Sequence, residues 1–368
     1  MSPLYSLQCY FSVGYLSRHL QYFMFYLINT KHLINKKELI SKAKELSASG
    51  DKVTIVTLNG EKGNCDFMQT VNGINNIYGL EFYGGNDFIN SEFEKMCTEA
   101  DFSRLGVLRM DVDNLGKIFQ KGIAPEKATL SRYSALSRSF DYFFSGYLNT
   151  IWNEIATDKS FIIYSGGDDV FIVGSWEITI KIAKRIHSDF KEFTCNNPSF
   201  SLSGGIAIVP AKFPIMKAAE QSDAEEKSAK GHSCNNKDKN SLSFINMALN
   251  WDTEFPIVEQ LKNTIIDLIE SNKLQKSFIS KILIHHANAG IKNNMISNIK
   301  TYWMMTYDLS RLKAREKQND INTLVDNCIA EICGNKKLLN GKLLESNYHA
   351  LELWAFSARW AELELRNK

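Results

Sequence analysis

Two acidic motifs in this chain have the residue types and spacing to handle a metal-bound nucleotide. One is Asp111-Val112-Asp113, which closes the apolar run Leu105 to Met110. The other is Gly166-Gly167-Asp168-Asp169, set between the β-forming runs Phe161 to Tyr164 and Val170 to Val173. Two like charges about 4 Å apart repel by roughly 4 kcal/mol at an effective dielectric near 20. A fold that gathers such carboxylates gains nothing from them unless a cation sits among them. Their hard oxygen donors suit Mg²⁺ or Mn²⁺, which retain waters and bind the phosphates of a nucleotide. Two such ions about 3.5–4 Å apart activate a hydroxyl and stabilise a departing pyrophosphate. The glycines allow positive φ and let a triphosphate or base approach the backbone. Gly and Asp also dominate ordinary turns, so the hairpin alone does not decide the chemistry. The acids at the end of a second strand do.

Those motifs need a frame to bring them together. Leu105 to Met110 is expected to be a strand, and about 130–155 a helical stretch. A strand–turn–strand hairpin around 166–169 follows. Ile178 to Phe193 is expected to be helical, Ser201 to Val209 extended, Pro214 to Lys230 helical and Leu242 to Ile245 extended. That order is the split βαβ plan of a ferredoxin-like α+β domain, an antiparallel sheet with helices on one face. In it the Asp111 strand and the hairpin are neighbours at the sheet centre. Lys227 and Lys230 end the helix after Ser203-Gly204-Gly205, where a lysine can meet phosphate charge or complement the helix dipole.

Upstream, Lys37 to Ser49 reads as a helix, Val53 to Val56 and Leu80 to Tyr83 as strands, and Gly60 to Asn76 as a loop. The aromatic stretch Tyr22 to Ile28 reads as a buried or partner-facing helix; it is far below the roughly 20 residues that span a bilayer, and no membrane association is expected. From Trp251 onward only helical patterning remains. Leu344, Tyr348, Leu351, Ala355 and Ala358 share one face, and Trp303, Met304 and Met305 sit in another apolar stretch. The expected division is an N-terminal helical segment with part of another domain (1–100), the α+β domain (101–248) and an all-α C-terminal domain (249–368).

Composition sets outer limits. A net charge of +2 over 368 residues excludes a globally basic nucleic-acid coat, and 44% hydrophobic content is enough for real cores. Seven cysteines without a CxxC pair support neither a zinc ribbon nor a disulfide framework, and point to a reducing, cytoplasmic setting.

The run Arg109-Met110-Asp111-Val112-Asp113-Asn114-Leu115-Gly116, then Leu136-Ser137-Arg138-Ser139-Phe140, then Tyr164-Ser165-Gly166-Gly167-Asp168-Asp169-Val170-Phe171-Ile172-Val173-Gly174, resembles the large subunit of type III CRISPR effector complexes. The likeness is to the Csm-type branch, subtype III-A, from about residue 75 to 246, with Tyr83-Gly84-Gly85-Asn86 resembling the strand before its second palm domain. The resemblance implies a palm that joins ATP into cyclic oligoadenylates when a guide-bound complex captures target RNA. It implies Asp111, Asp168 and Asp169 as metal-binding acids with Asp113 beside them. Ser165, Gly166, Gly167, Asn114 and Lys230 would then contact ATP, Lys230 through its phosphates. It also implies partners: other effector subunits, and guide and target RNA through the complex.

Family members carry two palms and an N-terminal HD nuclease domain. Here no histidine precedes an aspartate, so no HD-type DNase is expected, and paired zinc cysteines are absent. Only part of a first palm fits before residue 100, so the second palm is expected from another chain or a second copy. Two other readings stay open: a catalytically silent scaffold subunit, and a signalling enzyme of the diguanylate-cyclase type. The Gly-Gly-Asp-Asp-Val-Phe hairpin departs from the Gly-Gly-Asp/Glu-Glu-Phe of such cyclases.

Overall fold

The computed structural model describes residues 9–17, 20–27, 44–45, 48, 52–58, 77–82, 93, 96–97 and, apart from 156–158, 236, 293–294, 297–298, 316–318, 334–337, 340–341 and 344–345, residues 102–366. The chain forms two compact units, Met1–Asp87 and Phe88–Lys368. In the first, β1 (Cys9–Ser17), β2 (Leu20–Leu27), β3 (Lys52–Leu58) and β4 (Ile77–Phe82) make one sheet in the order β2-β1-β3-β4. β1 is antiparallel to β2 and β3, while β3 and β4 run parallel. The helix expected around Tyr22 to Ile28 is therefore a strand over Leu20–Leu27, and this segment is not helical. Short apolar runs do not declare helix or strand by periodicity, and the density of Tyr and Phe favours a pleated surface. The strands expected near 53–56 and 80–83 are present as β3 and β4. Of the helix expected over 37–49, residues 44–45 and 48 are helical. The loop 60–76 and the motif 83–86 lie outside the described residues.

The second unit begins with the α+β domain. Its elements are β5 (Arg104–Val112), α1 (Leu115–Lys121), α2 (Leu130–Asp141), a π-helical segment (Tyr142–Tyr147), α3 (Leu148–Ile155), β6 (Ser160–Gly166), β7 (Asp169–Ser175), α4 (Trp176–Phe193), β8 (Leu202–Pro210), α5 (Ile215–Gly231), β9 (Ser241–Phe244) and β10 (Met247–Asn250). The sheet order is β10-β9-β8-β5-β7-β6. β5 lies at the centre, antiparallel to both β7 and β8. The four strands β8-β5-β7-β6 are the ferredoxin-like arrangement expected from the motif order.

Alternation along β5 sorts its residues between two faces. Leu108, Met110 and Val112 join Phe140, Phe143, Phe144, Ile180 and Ile186 in the large core under α2, α3 and α4. Leu105 and Val107 join Val173, Val209 and Ala218 in a smaller core on the other face. Helices were expected on one face, yet α5 covers the second. The cause is the appended strand: β9 runs parallel to β8, and a parallel connection needs a crossover helix. Gly205 sets how closely that helix sits, since a Cβ there would lie 2.1 Å from the backbone nitrogen of Glu226. α5 therefore rests directly on β8.

Among the described residues five helices follow: α6 (Glu254–Glu270), α7 (Ser277–Ala289), α8 (Ile299–Arg315), α9 (Asn319–Cys333) and α10 (Ala350–Leu365). Leu351, Ala355 and Ala358 are buried, as the stripe predicts, but so are Leu353, Trp354, Phe356, Trp360 and Ala361. A helix apolar on several sides is a central one. Phe244 of β9 packs against Phe255, Phe356 and Trp360, with ring centroids 6.4, 4.9 and 5.0 Å away. The boundary expected at 248/249 is thus a change of element type, not a break in the core. In the other stretch Met305 is buried, while Trp303 and Met304 are exposed. Among the described residues no helix is long and apolar enough to cross a membrane.

Candidate functional site

The β6–β7 hairpin closes through a two-residue loop, Gly167-Asp168, with Gly166 paired to Asp169. Gly167 has φ of 66°, and Asp168 is not among the positive-φ residues. A positive φ at the first loop position is the mark of a type II′ turn, whose twist suits a hairpin. Gly167 is thus required by the backbone, whereas Gly166 faces Ser145 and the Tyr164 hydroxyl, 3.4 and 3.6 Å from where a Cβ would stand. Beneath the turn, Ser165 is buried and donates to the Phe144 carbonyl at 2.5 Å. This ties the hairpin to the π-helical segment, a local irregularity often found beside functional sites.

Asp111 stands opposite Asp169 on β7 and opposite Ser203 on β8. One rung of the sheet therefore reads Gly166, Asp169, Asp111, Ser203. Carboxylate oxygens of Asp111, Asp168 and Asp169 all lie within 4.8 Å of one another. Burial, followed by contact with Asp111 and the charges of Asp111, Asp168 and Glu226, pushes the Asp169 carboxyl up to about 6. Burial and the Asp111 charge raise Asp168 in the same direction. Lys230 is the counter-charge, hydrogen-bonded to Asp111 and 2.7 Å from Glu226. Burial disfavours its ammonium, but those bonds outweigh it and hold Lys230 above its ordinary range. Four acids against Lys230 and the more distant Arg109, which Asp223 shares, leave negative charge in excess, and every donor is a hard oxygen. A divalent cation such as Mg²⁺ or Mn²⁺ fits this donor set.

The other expected site residues are placed differently. Asp113, expected among the metal-binding acids, lies outside the three-acid group. Its side chain is buried, and one oxygen accepts from Ser201 Oγ at 2.7 Å, Ser203 Oγ at 2.9 Å and the Asn240 backbone nitrogen at 3.1 Å. The strand ends at Val112, so the period-two rule no longer aligns Asp113 with Asp111. Ser165, expected to contact ATP, is buried beneath the turn with its hydroxyl donating to the Phe144 carbonyl. Asn114 is exposed, with φ of 57°, and its side-chain oxygen accepts from Lys239 Nζ at 2.9 Å. Gly166 and Gly167 are at the turn, and Lys230, expected to meet the ATP phosphates, is bonded to Asp111.

Glu226 was missed, although its spacing to Lys230 is legible, since residues four apart share a helix face. Arg109 was also missed. It lies one rung below Asp111 and pairs with Asp223 at 3.4 Å and Glu226 at 3.8 Å. No sequence pattern announces that contact, because it depends on α5 crossing β5.

A central-strand aspartate beside an acidic hairpin on a ferredoxin-like sheet defines a palm domain, nucleotidyltransferase-like in build. Residues 104–243 match the family described as Cas10/Cmr2, second palm domain. The chain is 39% identical over 178 residues to the CRISPR system single-strand-specific deoxyribonuclease Cas10/Csm1 (subtype III-A) of Methanocaldococcus jannaschii, covering 44% of this chain and 22% of that protein. Residues 104–243 are thus similar to a Cas10-type second palm, and the similarity extends to a Csm1 protein of subtype III-A. Crystal structures share the fold. Csm1 of T. onnurineus has a TM-score of 0.56 at 18% identity, over 83% of this chain and 45% of that one. A Csm1–Csm4 cassette in complex with pppApApA has a TM-score of 0.55 at 19% identity, over 83% and 44%. The chain spans under a quarter of that curated relative's length and less than half of either crystallised chain.

Proposed function

We propose that this palm joins ATP molecules through 3′–5′ bonds into cyclic oligoadenylates, as part of a type III-A CRISPR ribonucleoprotein that answers target RNA. The observation that carries the reading is the group Asp111, Asp168 and Asp169, drawn together at a Gly-Gly-Asp-Asp turn within the Cas10-type palm. These three acids would hold Mg²⁺ or Mn²⁺, which when bound activates a ribose hydroxyl and stabilises the leaving pyrophosphate. Gly167 has no neighbour within 4 Å of where its Cβ would stand, so the turn leaves room for a phosphate chain. Lys230 is held at the acids as a point charge for phosphate. A fold neighbour bound pppApApA, a linear adenylate of the kind such a reaction would pass through.

The reaction needs two nucleotides face to face. A second nucleotide-binding palm, guide RNA, target RNA and the other effector subunits would complete the complex in the cytoplasm. No deoxyribonuclease chemistry is assigned to these residues, since no His-Asp dipeptide occurs in the sequence.

The test is to supply the chain with partner subunits, guide and target RNA, Mg²⁺ and labelled ATP or GTP. Oligoadenylates from ATP, lost on combining Asp168→Ala with Asp169→Ala, support the proposal. Product from GTP alone would point to a diguanylate-type enzyme. Normal assembly without any product would leave a scaffold.

A further inference from the structure

We propose that Tyr164 is the nucleobase-stacking residue of this site, an inference that rests on the palm being a nucleotide site. A single exposed tyrosine is ordinary on a protein surface. What distinguishes this one is its setting. β6 is the edge of the sheet, and its pairing with β7 slips between Ile162 and Tyr164. Bulges at sheet edges beside active sites re-aim a side chain. Past the slip, Tyr164 stands opposite Phe171, and Phe171 opposite Arg109. That rung lies directly below Gly166, Asp169 and Asp111, two residues or about 7 Å along the strands. A nucleotide with its phosphates at the acids carries its base one ribose away, which is the reach of this rung.

The rung is open where a planar, uncharged group is wanted. α5 covers the same face over β8, and its Asp223 and Glu226 occupy Arg109. Tyr164, at the far side, is 53% exposed, and Phe171 is half-buried beside it. The ring is also held in place. Its hydroxyl donates to the Gly166 carbonyl at 3.3 Å, which lays it along the strand toward the turn. Behind it, the bond from Ser165 to the Phe144 carbonyl keeps the strand from rolling. Stacking onto an aromatic face tolerates any base, and a ring already fixed loses little freedom when one lands.

Two probes separate base from phosphate: ATP and inorganic triphosphate, each titrated calorimetrically with Mg²⁺ into the full chain. Wild type is expected to bind ATP more tightly than triphosphate. Tyr164→Ala is expected to weaken ATP binding roughly 5- to 150-fold while leaving triphosphate unchanged. Tyr164→Phe, which keeps the ring, is expected to keep ATP affinity. The assignment is overturned if Tyr164→Ala leaves ATP affinity intact or weakens both probes alike. It is also overturned if Tyr164→Phe loses as much as Tyr164→Ala, since the hydroxyl bond to Gly166 would then be the cause. Failure of the underlying reading looks different. In that case neither probe binds wild type, or triphosphate binds equally well after Asp168→Ala plus Asp169→Ala.

Discussion

Asp113 and the Asp111–Asp168–Asp169 group stand at the same end of one sheet and have opposite surroundings. Asp113 faces β8 and the entry to β9, where two serine hydroxyls and a backbone N–H donate to it. The other three face each other and Glu226, with Lys230 as the cation against them. One oxygen of Asp113 collects three donors and so ties β8 to the entry of β9, while its other oxygen is buried without a partner. Carboxylates crowded against carboxylates are not satisfied, and folding alone gives no reason to keep them. The first arrangement is a fastening, and the second is a site waiting for positive charge.

The comparison can be broken in four places. Asp168→Ala with Asp169→Ala is expected to reduce oligoadenylate synthesis to background in the assembled complex, with no loss of thermal stability because repulsion is removed. A large fall in melting temperature would move these acids into Asp113's class. Asp113→Ala is expected to cost about 2–4 kcal/mol in urea unfolding, since it strands three donors at a buried position. Stability within experimental error of wild type would show that Asp113 is not a fastening.

Gly205→Ala tests the helix that brings Lys230 to the acids. The added methyl meets the Glu226 backbone, so a loss of about 1–3 kcal/mol is expected, along with weaker triphosphate binding as α5 is displaced. Unchanged binding would detach Lys230 from the site.

The smallest effect is the pH dependence of the metal-free chain. Asp169 is raised from the ordinary aspartate value near 3.9 to about 6, so the folded state holds its proton more tightly than the unfolded one. That contribution is fully present below about pH 4 and is lost as pH rises through about 6. Melting temperature is therefore expected to decline from pH 4.5 to 6.5 more in wild type than in Asp169→Asn, and Mg²⁺ at about pH 7 is expected to restore it. Equal slopes in the two proteins would mean that the acids do not burden one another.

Much of this was legible in the residues, and the exceptions share a cause. The hairpin could be read because Gly-Gly-Asp-Asp between β-branched runs admits few backbones, and its partner strand because Asp111 follows a largely apolar run interrupted only by Arg109. The separation of Asp113 from Asp111 was not legible, because its direction depends on where β5 stops, which pairing with β8 determines. The bond that holds Ser165 was not legible, because its partner lies 21 residues earlier, on a π-helical turn that no local signal marks. The aromatic N-terminal run was misread as a helix because Leu20–Leu27 becomes a strand by pairing with Cys9–Ser17.

Local sequence is enough for the order of elements from Leu105 to Ile245, for the turn at Gly167, and for naming Asp111, Asp168, Asp169 and Lys230 as candidates for the chemistry. Those follow from local preferences: period, β-branching, the need for positive φ, and the rarity of clustered carboxylates. Only the tertiary structure decided that three acids converge while a fourth turns away. It also placed α5 on the second face with Glu226 and Lys230 aimed at Asp111, and made the palm and the helices share one core. Each of these depends on which strand lies beside which and how closely a helix can approach, and both are set by packing between residues far apart in the chain.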